Sequence, residues 1–130
     1  MNSTKLISPL FYLSAAYDGI LGLLFLFAPL KVFELFQVPP PNHIGYVQFP
    51  ALLLIIFGMM FFVIAKDPSK YRDLIIYGIM LKLSYCCLTA LYWAQGTLPD
   101  MWKPFTVCDA VMCVLYILCY KCLSQKEQSA

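Results

Sequence analysis

Three charged side chains, Asp18, Lys82 and Asp109, lie deep inside apolar stretches of this 130-residue chain. One ammonium and two carboxylates in such surroundings can do three things. They can clasp helices together, hold the polar end of a small amphipathic molecule, or pass protons and ions. Lys82 makes the strongest demand. It is the lone charge in residues 74–94, a 21-residue apolar run. At ~1.5 Å per residue such a helix spans the ~30 Å hydrocarbon core of a bilayer. A lysine at its middle opposes insertion by roughly 2.5–3.5 kcal/mol. Each Leu or Ile of the run favours insertion by roughly 0.3–0.6 kcal/mol at best, so the sums nearly cancel. Lys82 therefore needs a partner.

Depth points to that partner. Asp18 lies twelve residues before Leu30, and Lys82 lies twelve before Ala94, each about 18 Å from the outer end of its run. Asp109 lies eight residues past Met101, about 12 Å in. A helical side chain leans toward its helix N-terminus. That favours Asp18 as the first partner and Asp109 as the second. Two ionised aspartates against one ammonium leave one negative charge in excess, which protonation of one carboxyl would remove.

Helical spacing groups these charges with small and aromatic residues. The first run places Ser14, Asp18, Gly22, Phe25 and Pro29 on one stripe. The third places Gly78, Lys82, Tyr85, Thr89 and Tyr92 together, and the fourth Phe105, Asp109, Met112, Tyr116 and Tyr120. In the second, Gln48, Ala51, Ile55, Gly58 or Met59, and Phe62 complete the set. Small and polar residues sharing a stripe mark a bundle interior in a membrane. The candidate site residues are thus Asp18, Lys82 and Asp109, with Tyr17, Tyr85, Tyr116 and Gln48 around them.

Composition sets the class. Apolar residues make up 62% of the chain and charged residues 12%, against about 25% charged in soluble domains. A chain this short cannot bury so much apolar surface within itself. The expected fold is all-α, an integral membrane antiparallel four-helix bundle. Residues 1–130 form a single transmembrane domain with spans at about 6–30, 44–65, 74–94 and 101–122.

Polar and proline-bearing segments separate the spans. Ser14-Ala15-Ala16 imitates a signal-peptidase site, but the apolar run continues to Leu30, as expected of an uncleaved span. Residues 31–37 read as a short amphipathic interfacial piece, and Pro39-Pro40-Pro41 stops any helix. Asn42 and Asp100 are candidate N-caps. Pro50 falls in the early turns of the second span, where amides lack helical partners and a proline costs little. The tail from Leu123 is polar and expected to fray. The two halves share a span with one deep charge, a proline-containing turn and another span, the pattern of a duplicated two-helix unit.

Charge distribution gives an orientation. Lys5, Lys66, Lys70, Arg72, Lys121 and Lys126 fall on one side, Lys31 and Lys103 on the other. The positive-inside rule puts both termini in the cytoplasm. The net charge of +2 is dispersed, and nothing in it points to nucleic acid.

Reaction chemistry leaves little trace. The chain has one histidine, His43, read as an exposed loop residue, and no nucleophile elbow, zinc-protease motif or phosphate-binding loop. The six cysteines lie in or beside apolar runs and read as small buried hydrophobes. Cys119-Tyr-Lys-Cys122 lacks the flanking ligands of a zinc site. No cofactor and no metal are expected, and no catalytic residue is assigned.

Several short motifs carry a likeness to known proteins. These are Tyr-Asp-Gly-Ile-Leu-Gly at 17–22 followed by Ala28-Pro29, Phe57-Gly58, Lys66-Asp67-Pro68, Lys82, and Gly-Thr-Leu-Pro at 96–99 ahead of Asp109. With them the chain resembles the small four-span bacterial membrane proteins of the DoxX-like group, over most of its length. It is more distantly similar to the four-helix EXPERA proteins, whose sterol-handling pocket also uses membrane-embedded acids. Small size, the absence of any reaction motif and many small and aromatic residues available to lipid lead to the expectation of a non-catalytic accessory or partner subunit of a membrane complex. The DoxX-like resemblance implies a bacterial inner-membrane protein, in a group with accessory subunits of membrane redox systems. The residues leave two other functions open: an intramembrane binding or isomerase-like module for a lipid, sterol or quinone, and proton-coupled transport as a homo-oligomer. Expected partners are the bilayer, other membrane proteins or a second copy, and a small amphipathic ligand.

The topology is testable directly. Alkaline phosphatase fused after Pro41 or Pro99 is expected to be active, and fused after Ser69 or at Ala130 inactive. Activity at Ala130 would instead require an odd number of spans or a cleaved first segment.

Overall fold

A computed structural model describes residues 3–129. Ala130 lies outside the described residues. The described chain is all-helical, without a strand: a 3₁₀ turn at Ser3–Leu6, then α1 (Ile7–Phe27), α2 (Pro29–Leu35), α3 (Gly45–Lys66), α4 (Arg72–Ala94), a 3₁₀ turn at Asp100–Trp102, and α5 (Lys103–Gln128). Four of these helices, α1, α3, α4 and α5 with its preceding turn, are long and apolar enough to cross a membrane.

Local chemistry sets the breaks. The first apolar run does not continue as one helix to Leu30. Ala28 leaves the helical region at φ −135°, ψ 46°, because Pro29 crowds the residue before it. Pro29 then opens α2, where its missing amide costs nothing. α2 closes with Gln37 at φ 57°. The Gln37 amide donates to Glu34 O and the Val38 amide to Phe33 O, both at 3.0 Å. α4 ends the same way around Gly96 at φ 74°. There the Gly96 amide donates to Trp93 O and the Thr97 amide to Tyr92 O, each at 3.0 Å. Both are left-handed C-terminal caps, and Gly96 is the residue that adopts this conformation without strain.

Four local expectations are corrected. Asn42 makes no capping bond; the Gly45 amide donates instead to His43 Nδ1 at 3.0 Å. Asp100 does not cap α5 and pairs with Lys103. Pro50 sits inside α3, five residues after Gly45. Its missing amide therefore deprives the Tyr46 carbonyl of a helical donor. The tail is helical to Gln128. Leu123 is buried, and the Arg72 guanidinium donates to the Glu127 carboxylate, which ties the last turns of α5 to the start of α4.

α1 packs along α3 and α4 along α5. Two apolar cores result. Phe11, Phe61, Ile64, Ile75, Tyr116 and Leu123 belong to the larger. Phe25, Phe33, Ala51 and Met101 make the smaller, with Trp102 stacked on Phe25 at 5.6 Å. The interior face of α1 follows the expected stripe; that of α5 does so at Asp109, Met112 and Tyr116, but at its ends Thr106 and Cys119 are buried where Phe105 and Tyr120 are half-buried. On α4, Tyr92 is exposed. On α3 the stripe turns after Gly58: Phe61, Ile64 and Ala65 are buried, while Met59 and Phe62 face outward. The step from Gly58 is three residues rather than four, which keeps the face toward α1 and α4 as the helix advances.

Close backbone approach depends on Gly22. A Cβ there would lie 2.7 Å from the Ala51 carbonyl oxygen and 2.8 Å from Ile55 Cγ1, whereas a Cβ at Gly19 would meet nothing within 4 Å. Gly22→Ala is expected to destabilise by about 1–3 kcal/mol, because the backbone oxygen cannot move aside. Gly19→Ala is expected to be neutral or to stabilise by up to about 1 kcal/mol. Thermal unfolding in detergent separates the two; equal effects would mean that α1 and α3 do not meet at Gly22.

Candidate functional site

The three deep charges meet between the two cores. Lys82 on α4 is 1% exposed, Asp18 on α1 0% and Asp109 on α5 8%. Lys82 Nζ donates to Asp18 Oδ1 at 2.9 Å and to Asp109 Oδ1 at 3.2 Å. Asp18 is the nearer and drier partner, in line with the depth count. The ammonium also lies 5.3 Å from the Tyr17 ring centroid and 5.7 Å from that of Phe61. Aromatic faces attract a cation, more so when it is dry. α3 thus contributes Phe61, a ring where the other long helices contribute charges.

A cavity of about 830 Å³ opens from this cluster. Tyr17, Asp18 and Asp109 line its polar part. Leu21, Phe25, Leu54 and Phe105 are among its apolar walls. Along α4 the lining runs from Leu81 to Tyr92, about 16 Å of helix. Two rim residues, Leu53 on α3 and Leu88 on α4, are 38% and 54% exposed. The cavity is therefore open sideways between these two helices.

Its hydrogen bonds are unevenly satisfied. Tyr85 Oη donates to Trp102 O at 3.2 Å. The Thr89 and Thr106 hydroxyls meet at 2.9 Å, linking α4 to α5. In contrast, Tyr17 Oη and Asp18 Oδ2 are buried without a hydrogen-bond partner among the described residues. A buried polar atom left unpaired typically costs about 1–3 kcal/mol. Two such atoms, on adjacent residues that both line the cavity, are where a ligand's polar group would gain most.

Not every sequence candidate joins this site. Tyr116 donates to Ser14 Oγ at 2.6 Å and stacks on Phe11 at 4.9 Å; it belongs to the larger core and does not line the cavity. Gln48 Nε2 donates to Leu26 O at 3.3 Å, serving a carbonyl in the last turn of α1. Neither residue lines the cavity. Phe61, beside the ammonium, and Trp102, on the cavity wall, are among the neighbours of the site that sequence spacing misses. Phe61 was legible as the residue three after Gly58, and Trp102 reads more readily as an interfacial aromatic than as a cavity wall. Among the described residues, no group of three His, Cys, Asp or Glu stands where it could hold a metal ion.

The ion cluster is testable by a double-mutant cycle. Lys82→Met is expected to destabilise strongly, since stranding a buried charge typically costs ~3–5 kcal/mol. Asp18→Asn should cost less, because the amide keeps hydrogen-bonding capacity. Lys82→Met combined with Asp18→Leu should recover much of the loss. Thermal stability in detergent reads the cycle, and additive losses, with coupling under about 0.5 kcal/mol, would deny the pairing.

The chain matches no family model, no curated protein and no solved structure, so its function is read from this geometry.

Proposed function

We propose that this chain is an intramembrane binding module for an elongated, largely apolar molecule with a polar end, of the lipid, sterol or quinone kind. The observation that carries the reading is the pair of orphaned buried atoms, Asp18 Oδ2 and Tyr17 Oη, at the polar part of an otherwise apolar cavity. Its volume of about 830 Å³ falls within the ~300–1,000 Å³ of small-molecule pockets. The side opening between α3 and α4 would admit a molecule from the surrounding bilayer.

The setting belongs to the same proposal. The four long helices sit in a membrane as an antiparallel bundle, in a bacterial inner membrane with both termini cytoplasmic. Contact order supports the arrangement of the first pair: Phe11 lies near Phe61, Ala15 near Gly58, and Gly22 near Ala51. Exposed aliphatic side chains such as Leu13, Ile20, Ile56 and Val114 suit lipid contact. The expected accessory-subunit role rests on the chain's small size, its lack of a reaction motif and its exposed small and aromatic residues, and the two orphaned atoms favour binding over it.

Purification from native membranes into mild detergent, followed by solvent extraction and mass spectrometry, tests the reading. A small apolar molecule is expected at near-stoichiometric amount. It should be depleted in Leu54→Trp, which narrows the cavity without touching the ion cluster. Recovery of a stoichiometric protein partner with no such molecule would favour the accessory-subunit role and sink this one.

A further inference from the structure

The polar part of the cavity has a definite hydrogen-bonding character. A carboxylate only accepts, an ammonium only donates, and a phenol does either. Lys82 spends one donor on Asp18 Oδ1 and one on Asp109 Oδ1, and its Nζ stands beside the rings of Tyr17 and Phe61. What remains for a ligand is mostly acceptor capacity. Asp18 Oδ2 is buried, unpaired and on a cavity-lining residue that is 0% exposed. Asp109 lines the cavity too, and Lys82 is the one donor its carboxylate receives from the described residues. The formal count is two carboxylates to one ammonium.

We infer, on the basis of the binding role proposed above, that the ligand's buried end is a hydrogen-bond donor, a hydroxyl or an ammonium. A head that only accepts, such as a quinone carbonyl, an ester or an ether, does not fit Asp18 as the carboxylate that pairs with Lys82 at 2.9 Å. Such a head could take a proton from Tyr17 Oη, but it would leave Asp18 Oδ2 unpaired and set lone pairs against lone pairs. A hydroxyl can answer either orphan, donating to Asp18 Oδ2 or accepting from Tyr17 Oη. An ammonium donates to Asp18 Oδ2 and offsets the surplus negative charge. Within the broad class of lipid, sterol or quinone, this selects alcohols and amines, or a quinone in its reduced form.

Three probes with one chain length and different heads test this: tetradecan-1-ol, tetradecylamine and methyl tetradecyl ether. Each is titrated into the purified protein in phosphatidylcholine nanodiscs, with the unfolding midpoint as readout. The alcohol, the amine or both should raise the midpoint, and the ether should need at least about tenfold more for the same rise, the ratio one such hydrogen bond is worth. Stabilisation by the alcohol alone supports a hydroxyl head on Asp18 or Tyr17; stabilisation by the amine alone supports charge complementation. Tyr17→Phe removes a hydroxyl that has no partner in the protein, so the fold should be retained. Its affinity for a bound alcohol should fall about tenfold. An ether as effective as the alcohol and amine would overturn the donor inference while leaving the binding role standing. Failure of all three probes, with a native molecule still co-purifying, would also overturn it. Failure of all three with nothing co-purifying would remove the binding role itself.

Discussion

An ammonium cut off from water cannot stand alone, and that constraint organises the molecule. Lys82 is fully enclosed, so α1 and α5 must each deliver a carboxylate to hydrogen-bonding distance of one point on α4. Three helices are thereby aligned in depth. Close delivery needs thin helix surfaces nearby. Gly22 and Gly58 let the α1 and α3 backbones approach, and Gly78 makes room for Phe61, whose ring then reaches the ammonium. The two apolar cores lie on either side of this point and keep water from it.

A buried ion pair is by itself weak evidence of stability. Well-packed hydrophobic replacements are often as stable or more so, because desolvating the charges consumes most of the Coulombic gain. A cluster built only to hold helices would also leave no acceptor idle. Here the lysine is doubly paired, yet one oxygen of its nearer partner and the adjacent phenol are both left unpaired. Both atoms belong to residues that line the cavity. In the function proposed above, Asp18 belongs both to the structural clasp, through Oδ1, and to the binding site, through Oδ2.

The division of the hydroxyl groups follows the same logic. Tyr116 and Tyr85 lie on α5 and α4 in sequence stripes much like the charges, but each finds an internal acceptor, Ser14 Oγ and Trp102 O. Thr89 and Thr106 satisfy one another. Polar groups inside an apolar bundle are strongly driven to pair, so those with a neighbour in reach become structural. Tyr17 has none in reach, and it is the residue beside Asp18 at the cavity wall.

Much of this was legible in the amino-acid sequence. Run length and composition determined four helices long and apolar enough to cross a membrane, since both are properties of single segments. Counting residues along each run determined that Asp18, Lys82 and Asp109 share a depth, because helix rise is constant. Stripe spacing found the buried face of α1 and most of those of α4 and α5, missing Thr106 and Cys119 by one residue each. It slipped on α3, taking Phe62 for Phe61, because neighbouring residues differ by ~100° around a helix and a curving interface shifts the face by one position. Proline and cap geometry were misjudged at Pro29, Asn42 and Asp100, where one competing hydrogen bond or clash decides a boundary. Tertiary structure alone decided that Tyr116 and Gln48 stand outside the cavity, bonded to partners on other segments. It alone decided that α5 stays helical to Gln128, through the buried Leu123 and the ion pair of Glu127 with Arg72. The cavity, too, was outside the reach of sequence, because it is a gap between helices and its size depends on how far apart packing holds them.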